Sequence, residues 1–519
     1  MLTALSRVFG LVRTICFTHF IGSDFIDGWF IAFKIPNLSR RLFGEGAASA
    51  SFIPVYSEKI HKDPQQADRF ASTVVTVIFT ILAGIVLIGW AGIWGYKKLF
   101  TPNAETDMML SLTSVMLPYM IMVCTVAILA GILNVHRHFA APAVAPIVLN
   151  IFIIVTVIVT GLLMNVGSRE QLFAVAVAVL AAGVVQVAIQ VRPLVKSGVM
   201  LRPAWQVQSE AFKKMMIMLG PMILGLTVTQ LNTLFDDIIA WVFSASTAKG
   251  LDFEFFGHLV NYPLRRGCVT HLNVAQRLYQ MPLGVMGISL ATAIFPVMSA
   301  DAIRQDYDAL RKTISRGIGG VLFIALPATA GLLIIAKPLV SGLFENGLFT
   351  SGDASASRVT LMFYAVGLTG FFAQQILTRA FYALHDSRVP AKSAAIAVAA
   401  NLILNLILIW PLGTGGLALS TAVCSYLQVT ILMVTLRKRL GRSVCQGVLA
   451  NIYKTAIGTV IMGLCGSGVL FLMRGTDVGW KFELVKLGAV VPVCVLTYAI
   501  TAKLLKNEML SMVIGSKKG

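Results

Sequence analysis

Apolar runs of about twenty residues recur along the chain. Each is long enough, at about 1.5 Å per helical residue, to cross ~30 Å of hydrocarbon. Fourteen are expected, at 2–22, 26–56, 71–95, 109–134, 141–163, 171–192, 215–243, 271–298, 317–339, 359–383, 391–411, 415–436, 453–473 and 484–504. The first two are the most polar. A bend is expected at Gly10, breaks at Gly22 and near Pro36, and tight packing or a bend at Glu45-Gly46. Two longer polar stretches interrupt the series. One is a basic linker, 193–214, holding Arg202, Lys213 and Lys214; the other, 244–270, holds Asp252, Glu254, Arg265 and Arg266. A membrane β-barrel would show short segments alternating between apolar and polar. This pattern instead predicts an all-α polytopic membrane protein.

Two segments repeat. Ala50-Ser51-Phe52-Ile53-Pro54-Val55-Tyr56-Ser57 closes the second span, and Thr292-Ala293-Ile294-Phe295-Pro296-Val297-Met298-Ser299 closes the eighth. Leu133-Asn134-Val135-His136 with Pro142 stands between spans four and five, and Tyr382-Ala383-Leu384-His385 with Pro390 stands between ten and eleven. The offset is six spans both times. An even offset predicts two six-helix lobes related by a pseudo-twofold along the membrane normal. The expected organisation is an N-lobe over 1–192, the cytoplasmic linker 193–214, a C-lobe over 215–436 and two added helices within 453–504. Two lobes around a solvated cleft suit alternating access. No ring motif of a channel is present.

Composition agrees. The chain is 57% hydrophobic and 13% charged, and its mean hydropathy is +0.81. A net charge of +19 would suggest nucleic acid in a soluble protein. Here it sorts by loop instead. With the N-terminus inside, the inside loops hold more than twice as many Lys and Arg as the outside loops, which orients both termini to the cytoplasm. The seven cysteines are scattered, without a CxxC or a Cys/His cluster, so neither a disulfide framework nor a metal site is expected. The first span carries Arg7 and Arg13 and no small-residue cleavage site, and reads as a retained helix. Short loops leave no room for a soluble catalytic domain. Walker A, HExxH, GxSxG and DFG motifs are absent.

The chemistry lies in the spans. Arg7, Arg13, Arg40 and Arg277 sit in apolar sequence, with Asp24, Asp27 and Glu45 as the acids near the first three. A cation in hydrocarbon is costly and usually faces a protein interior or a watery path. Surplus positive charge there predicts an anionic guest, and a guanidinium fork suits phosphate oxygens. Arg7 and Arg13 lie about 120° from unison on an ideal helix, so Gly10 would have to bend to bring them together. Arg7 could instead snorkel to headgroups, and Arg277 likewise at the outer side. Arg41 shares a face with Asn37 and could pair with Glu45. Arg277 has Gln276 and Gln280 as neighbours, amides that leave its charge available. Asp27 could lock an arginine or cap a helix. Asp236 and Asp237 could bind a cation or line a wet face beside Asn232.

The run Ser6-Arg7-Val8-Phe9-Gly10-Leu11-Val12-Arg13, then Asp27 and Ala32-Phe33-Lys34-Ile35-Pro36-Asn37-Leu38-Ser39-Arg40-Arg41-Leu42-Phe43 with Glu45-Gly46-Ala47, resembles the MurJ/MviN family. These are bacterial lipid II flippases of the multidrug/oligosaccharidyl-lipid/polysaccharide exporter superfamily. The resemblance continues through Pro142–Asn150, Gly220-Pro221, Ala275–Arg277, Phe295-Pro296 and Phe381–Pro390. It implies fourteen helices, two lobes and a lipid-tail groove built by 453–504. It also implies an inner-membrane transporter, not an enzyme, that moves undecaprenyl-pyrophosphate disaccharide-pentapeptide to the outer leaflet. The family's cavity arginines fall on Arg7, Arg13, Arg40 and Arg277, with Ser6 and Asn37 beside them, and its cavity or gating acid falls on Asp27. Secondary cavity candidates are Lys34, Arg41, Gln276, Gln280 and Thr270.

This sequence departs from the family pattern. Thr14 stands where an acid often follows the second arginine, Gln276 and Gln280 replace acids, and 244–270 is longer than usual. No cofactor or metal is expected. The drive would be a coupling ion, Na+ or H+, or the membrane potential. The expected partners are lipid II, bacterial membrane lipids and cell-wall synthesis machinery, with no nucleic acid. The alternatives are a flippase for another polyprenyl-pyrophosphate glycan, a drug exporter of the same superfamily or a non-transporting membrane scaffold.

Overall fold

The structure is a computed structural model that describes residues 2–42, 47–441, 448–475 and 479–510. Its helices are α1 (Leu2–Phe20), α2 (Ser23–Ser39), α3 (Ala47–Lys62), α4 (Pro64–Leu99), α5 (Ala104–Met116), α6 (Tyr119–Val135), α7 (Ala140–Ile158), α8 (Ser168–Lys196), α9 (Glu210–Val242), α10 (Cys268–Pro282), α11 (Ile288–Ile303), α12 (Tyr307–Phe344), α13 (Ser351–Ala383), α14 (Arg388–Leu412), α15 (Thr414–Leu440), α16 (Val448–Leu472) and α17 (Trp480–Leu504). Among the described residues eleven helical stretches are long and apolar enough to cross a membrane. Adding α1, the α2–α3 pair and α9 gives the fourteen expected spans. The fold is all-α and polytopic. The first spans fall short on hydropathy because their charges lie within the helices.

The break at Gly22 is present, with Gly22 as the N-cap of α2. The one expected near Pro36 lies further on. α2 runs through Pro36 to Ser39, and the ladder then widens into π geometry at 40–42. Proline removes one N–H from the ladder, but the coil opens only a turn later. The eighth span also has a π turn, at Leu283–Gly287 between α10 and α11, just after Pro282. Glu45 and Gly46 lie outside the described residues, and so does the pairing of Glu45 with Arg41. At Gly10 α1 is unbroken, although the Thr14 hydroxyl donates to the Gly10 carbonyl at 3.0 Å, a back-bond that often bends helices.

The chain forms two compact units, Met1–Trp241 with Ala245–Thr270, and Val242–Ser244 with His271–Gly519. The seventh span therefore packs with the first six, and the packing boundary falls later in the chain than the 193–214 linker. The linker is bound along α4. Backbone N–H groups of Met200, Arg202, Ala204 and Gln206 donate to the side chains of Asp68, Ser72, Thr76 and Thr73. At its end Lys214 and Lys62 both reach Glu58, at 2.7 and 2.9 Å. Hydrogen bonds from Lys214 and then Lys62 hold this carboxyl down to about 2. The core of the first unit is aromatic. Trp29 stacks on Phe33 with ring centroids 4.8 Å apart and lies 4.6 Å from Phe17. A buried polar chain crosses it: Tyr119 Oη donates to Gln186 Oε1 at 3.3 Å, and Gln186 Nε2 donates to the Ala145 carbonyl at 2.6 Å.

In the second unit α12, α13, α14 and α15 pack closely. α13 meets α15 where Gly367 and Gly370 face Ala422 and Ser425. α16 and α17 lie against α12: Met462, Val490 and Cys494 are buried with Ile334, and Tyr498 Oη donates to the Phe323 carbonyl at 2.6 Å. Glu483 and Lys486 form a buried pair within α17 at 2.9 Å.

The repeated loops use one turn. His138 N–H donates to the Leu133 carbonyl at 2.8 Å, and Asp386 N–H donates to the Phe381 carbonyl at 2.9 Å. The residue before each donor is left-handed, Arg137 at φ 60° and His385 at φ 55°. Both are Schellman closures. Geometry pairs Arg137 with His385, one residue away from the sequence match of His136 with His385.

The α14–α15 turn tests how close the packing is. A Cβ at Gly416 would strike the Leu408 carbonyl. Backbone cannot give way as a side-chain tip can, so Gly416→Ala should cost about 2 kcal/mol or more and lower the melting temperature of the purified protein in detergent. Gly468→Ala, where nothing lies within 4 Å, should leave it unchanged or raise it.

Candidate functional site

The charges of α1 and α2 are met in different ways. Arg7 is half-buried, and no ion pair or hydrogen bond joins it to another of the described residues. The carbonyl of its neighbour Ser6 accepts from Asn150 Nδ2 at 3.5 Å, which sets α1 against α7. Arg13 is only 8% exposed. Its guanidinium carbon lies 6.0 Å from the Trp29 ring centroid, within cation–π range. Arg40 donates through Nε and Nη2 to the Asn37 amide oxygen, at 3.0 and 2.9 Å. The sequence set Asn37 on one face with Arg41, but it is Arg40 that binds the amide. Arg41 is exposed and reaches Gln230 Oε1 on α9 at 2.6 Å.

Lys34 pairs with Asp237 on α9 and also donates to the Thr233 carbonyl at 2.8 Å. Asp237 thus answers a cation of α2. Nothing in the sequence links these residues, which stand 203 positions apart.

Asp27 is fully buried. One oxygen accepts from the Gly267 N–H at 2.8 Å; the other accepts from the Thr270 N–H at 2.7 Å and the Thr270 hydroxyl at 2.8 Å. These donors are the first turn of α10. Gly267 has φ 91°, left-handed backbone that glycine adopts without strain. A carboxylate at a helix N-terminus answers both the orphan N–H groups and the dipole. Thr270, a secondary candidate, is thus a partner of Asp27. Its hydroxyl also donates to the Ser23 carbonyl at 3.1 Å.

In the second unit α10 presents Asn273, Arg277 and Gln280 on its less buried face, while Gln276 turns inward. Gln276 Nε2 donates to Tyr364 Oη at 3.0 Å. The Tyr364 ring stacks on Tyr279 at 4.8 Å, and Tyr279 on Phe371 at 5.3 Å. An amide in place of the usual acid is therefore held by a buried phenol. His271 Nε2 lies 2.8 Å from Asp353 Oδ1. Sequence reading missed the two tyrosines, Trp29 and the His271–Asp353 pair; each is a contact between helices with no local signature. Among the described residues no group of three or more His, Cys, Asp or Glu could hold a metal ion.

This fold is shared with transporters. An inward-facing multidrug resistance MATE family transporter of the MOP superfamily superposes with a TM-score of 0.65 at 13% identity, over 86% of this chain and 99% of that one. A structure titled lipid II flippase MurJ, inward closed conformation, superposes with a TM-score of 0.77 at 21% identity, over 97% and 98%. The family described as lipid II flippase MurJ matches residues 18–485. The probable lipid II flippase MurJ of Vibrio cholerae is 31% identical over 449 residues, 83% of this chain and 80% of that protein. That of Rickettsia prowazekii is 30% identical over 439 residues, 83% and 81%. The architecture and its relatives define a multi-pass membrane transporter that flips lipid, not an enzyme. The chain belongs to the MurJ lipid II flippase family.

Asp27→Ala should leave the buried Gly267 and Thr270 N–H groups without their acceptor, the Thr270 hydroxyl keeping the Ser23 carbonyl, and cost about 2 kcal/mol or more. The expected result is a clear drop in melting temperature in detergent, with a smaller drop for Asp27→Asn, which keeps one oxygen acceptor.

Proposed function

We propose that this protein carries lipid II, undecaprenyl-pyrophosphate bearing a disaccharide-pentapeptide, from the inner to the outer leaflet by alternating access. Its arginines bind the pyrophosphate. The observation that carries this reading is Arg7, half-buried in a membrane helix with no acid paired to it among the described residues. Arg13 over an indole and Arg40 on an amide oxygen support it. Both contacts orient a guanidinium fork, the group whose geometry suits phosphate oxygens. The names of the relatives support the substrate.

In this mechanism Arg7, Arg13 and Arg40 receive the pyrophosphate from the cytoplasmic side, and Ser6 and Asn37 position it. Arg277 takes it at a later stage. The polyprenyl tail stays in lipid along the groove of 453–504. No covalent step is needed. Both termini lie in the cytoplasm, as the loop charges support. The inside-negative potential favours outward movement of an anion by about 2.3 kcal/mol per charge per 100 mV. It therefore supplies drive on its own or beside a coupling ion, Na+ or H+.

Removing one charge-assisted contact from a buried anion costs about 1.5–3 kcal/mol, so Arg7→Gln and Arg13→Ala should each weaken binding of labelled lipid II to purified protein at least tenfold. Arg13→Ala should also abolish flipping in proteoliposomes while the protein stays folded. Unchanged binding and flipping in both variants would reject the pyrophosphate site. Binding of an undecaprenyl-pyrophosphate with a different glycan at equal strength would favour the broader polyprenyl reading.

A further inference from the structure

The stretch between α9 and α10 has a pattern unlike the rest of the chain. Asp252-Phe253-Glu254-Phe255 alternates polar and apolar, as a half-covered strand does. In the structure it pairs antiparallel with His258–Asn261, in the register Asp252 with Asn261, Phe253 with Val260, Glu254 with Leu259 and Phe255 with His258. The turn is Phe256-Gly257 at φ 50° and 79°, the positive pair of a tight hairpin turn. Phe253 and Tyr262 rings lie 4.9 Å apart at the stem.

The base of this hairpin is fixed. Arg266 pairs with Glu105 at 2.8 Å, donates to the Trp241 carbonyl at 3.2 Å, and its guanidinium stands 3.5 Å over the Trp241 ring. Glu105 is in the first turn of α5, just past the end of α4. There Trp94, Tyr96, Leu99 and Phe100 are exposed, with Lys98 5.0 Å from the Trp94 ring. Aromatic rings and lysines at a helix end mark the membrane interface. The hairpin root is thus held at headgroup level.

Its outer part is apolar. Leu251 is 70%, Phe256 87% and Leu259 80% exposed. Four residues of strand span about 14 Å, and the headgroup layer is roughly 5–8 Å deep on each side. A hairpin standing upright on this root would push its phenylalanine through that layer into water. Lying over, it keeps all three side chains among headgroups and upper acyl chains. Both strands have an open edge, and open edges are not tolerated deeper in hydrocarbon, so the depth is set at the interface.

We propose that the 251–262 hairpin lies in the bilayer interface, with Phe256 at its tip inserted among the lipids that surround the α4–α5 end. The occupant of this apolar tip is the lipid surface itself, continuous with the belt of α4. The proposal is independent of the transported substrate and of which side the loop faces.

The test is Phe256→Trp in proteoliposomes, with Leu259→Trp as a second variant; both sites are exposed and outside the transport machinery. The emission added over the parent protein is followed with phosphatidylcholine brominated near the top of the acyl chain and, separately, with aqueous acrylamide. Brominated lipid should remove at least half of the added emission. Quenching by acrylamide alone would put the tip in water and overturn the proposal. Quenching by neither would mean that protein covers the tip, and would overturn it equally.

Discussion

An ionised group inside a membrane helix is costly unless a protein partner or a watery cavity answers its charge. In the first unit nearly every such answer joins elements far apart in sequence. Asp27 on α2 is held by the start of α10, Lys34 on α2 by Asp237 on α9, and Arg266 by Glu105 on α5. Each pair would be costly to break from one side. Together they bind α9 and the hairpin to the first six spans. The packing boundary therefore follows the buried charges and not the polar linker, which is itself laid along α4.

The type of answer also matters. A carboxylate cancels a cation, as Asp237 does for Lys34. An amide oxygen or an indole face orients a guanidinium and leaves its charge in place, as Asn37 does for Arg40 and Trp29 for Arg13. α1 and α2 therefore carry both kinds of contact, a carboxylate for Lys34 and an amide or indole for Arg40 and Arg13. On α10 the amides divide, with Gln276 turned to Tyr364 and Gln280 exposed.

The spans were legible because hydropathy and length act locally, and the Gly22 break because a glycine between two helical patterns is a local signal. Asn37 was set beside the wrong arginine: helical pitch favoured Arg41, four residues on, whereas Arg40 binds the amide and Arg41 turns to Gln230. The break assigned to Pro36 was misplaced: a missing N–H is felt in the ladder, yet the coil opens at 40–42. The pairing of His136 with His385 was one residue out, because the turn is set by which residue turns left-handed and not by identity. Lys34 with Asp237, and Arg13 with Trp29, were illegible for a different reason. The partner is fixed by how helices pack, and an aspartate or tryptophan in a span looks the same whether or not a cation lies over it. The hairpin was within reach. Asp252 to Phe255 alternates, and Gly257 follows at turn distance, but a 27-residue polar stretch read by composition alone hides a period of two.

Asp27 ties the start of α10 to α2. It grips the Gly267 and Thr270 N–H groups at the root of α10, and the same helix carries Gln276 and Arg277 two turns on. A helix is stiff over that distance, and its ladder is regular until Pro282, after which the π turn Leu283–Gly287 loosens it. Between the clamp and the π turn α10 is a rod of fifteen residues, about 22 Å long. Whatever displacement the rod undergoes must be taken up at its two ends. The clamped end is held by charge-assisted bonds that tighten in a dry setting. The π-turn end has weaker bonds and a proline, and there the helix can bend. Arg277 thus stands on the regular part of α10, between the root that Asp27 holds and the π turn after Pro282.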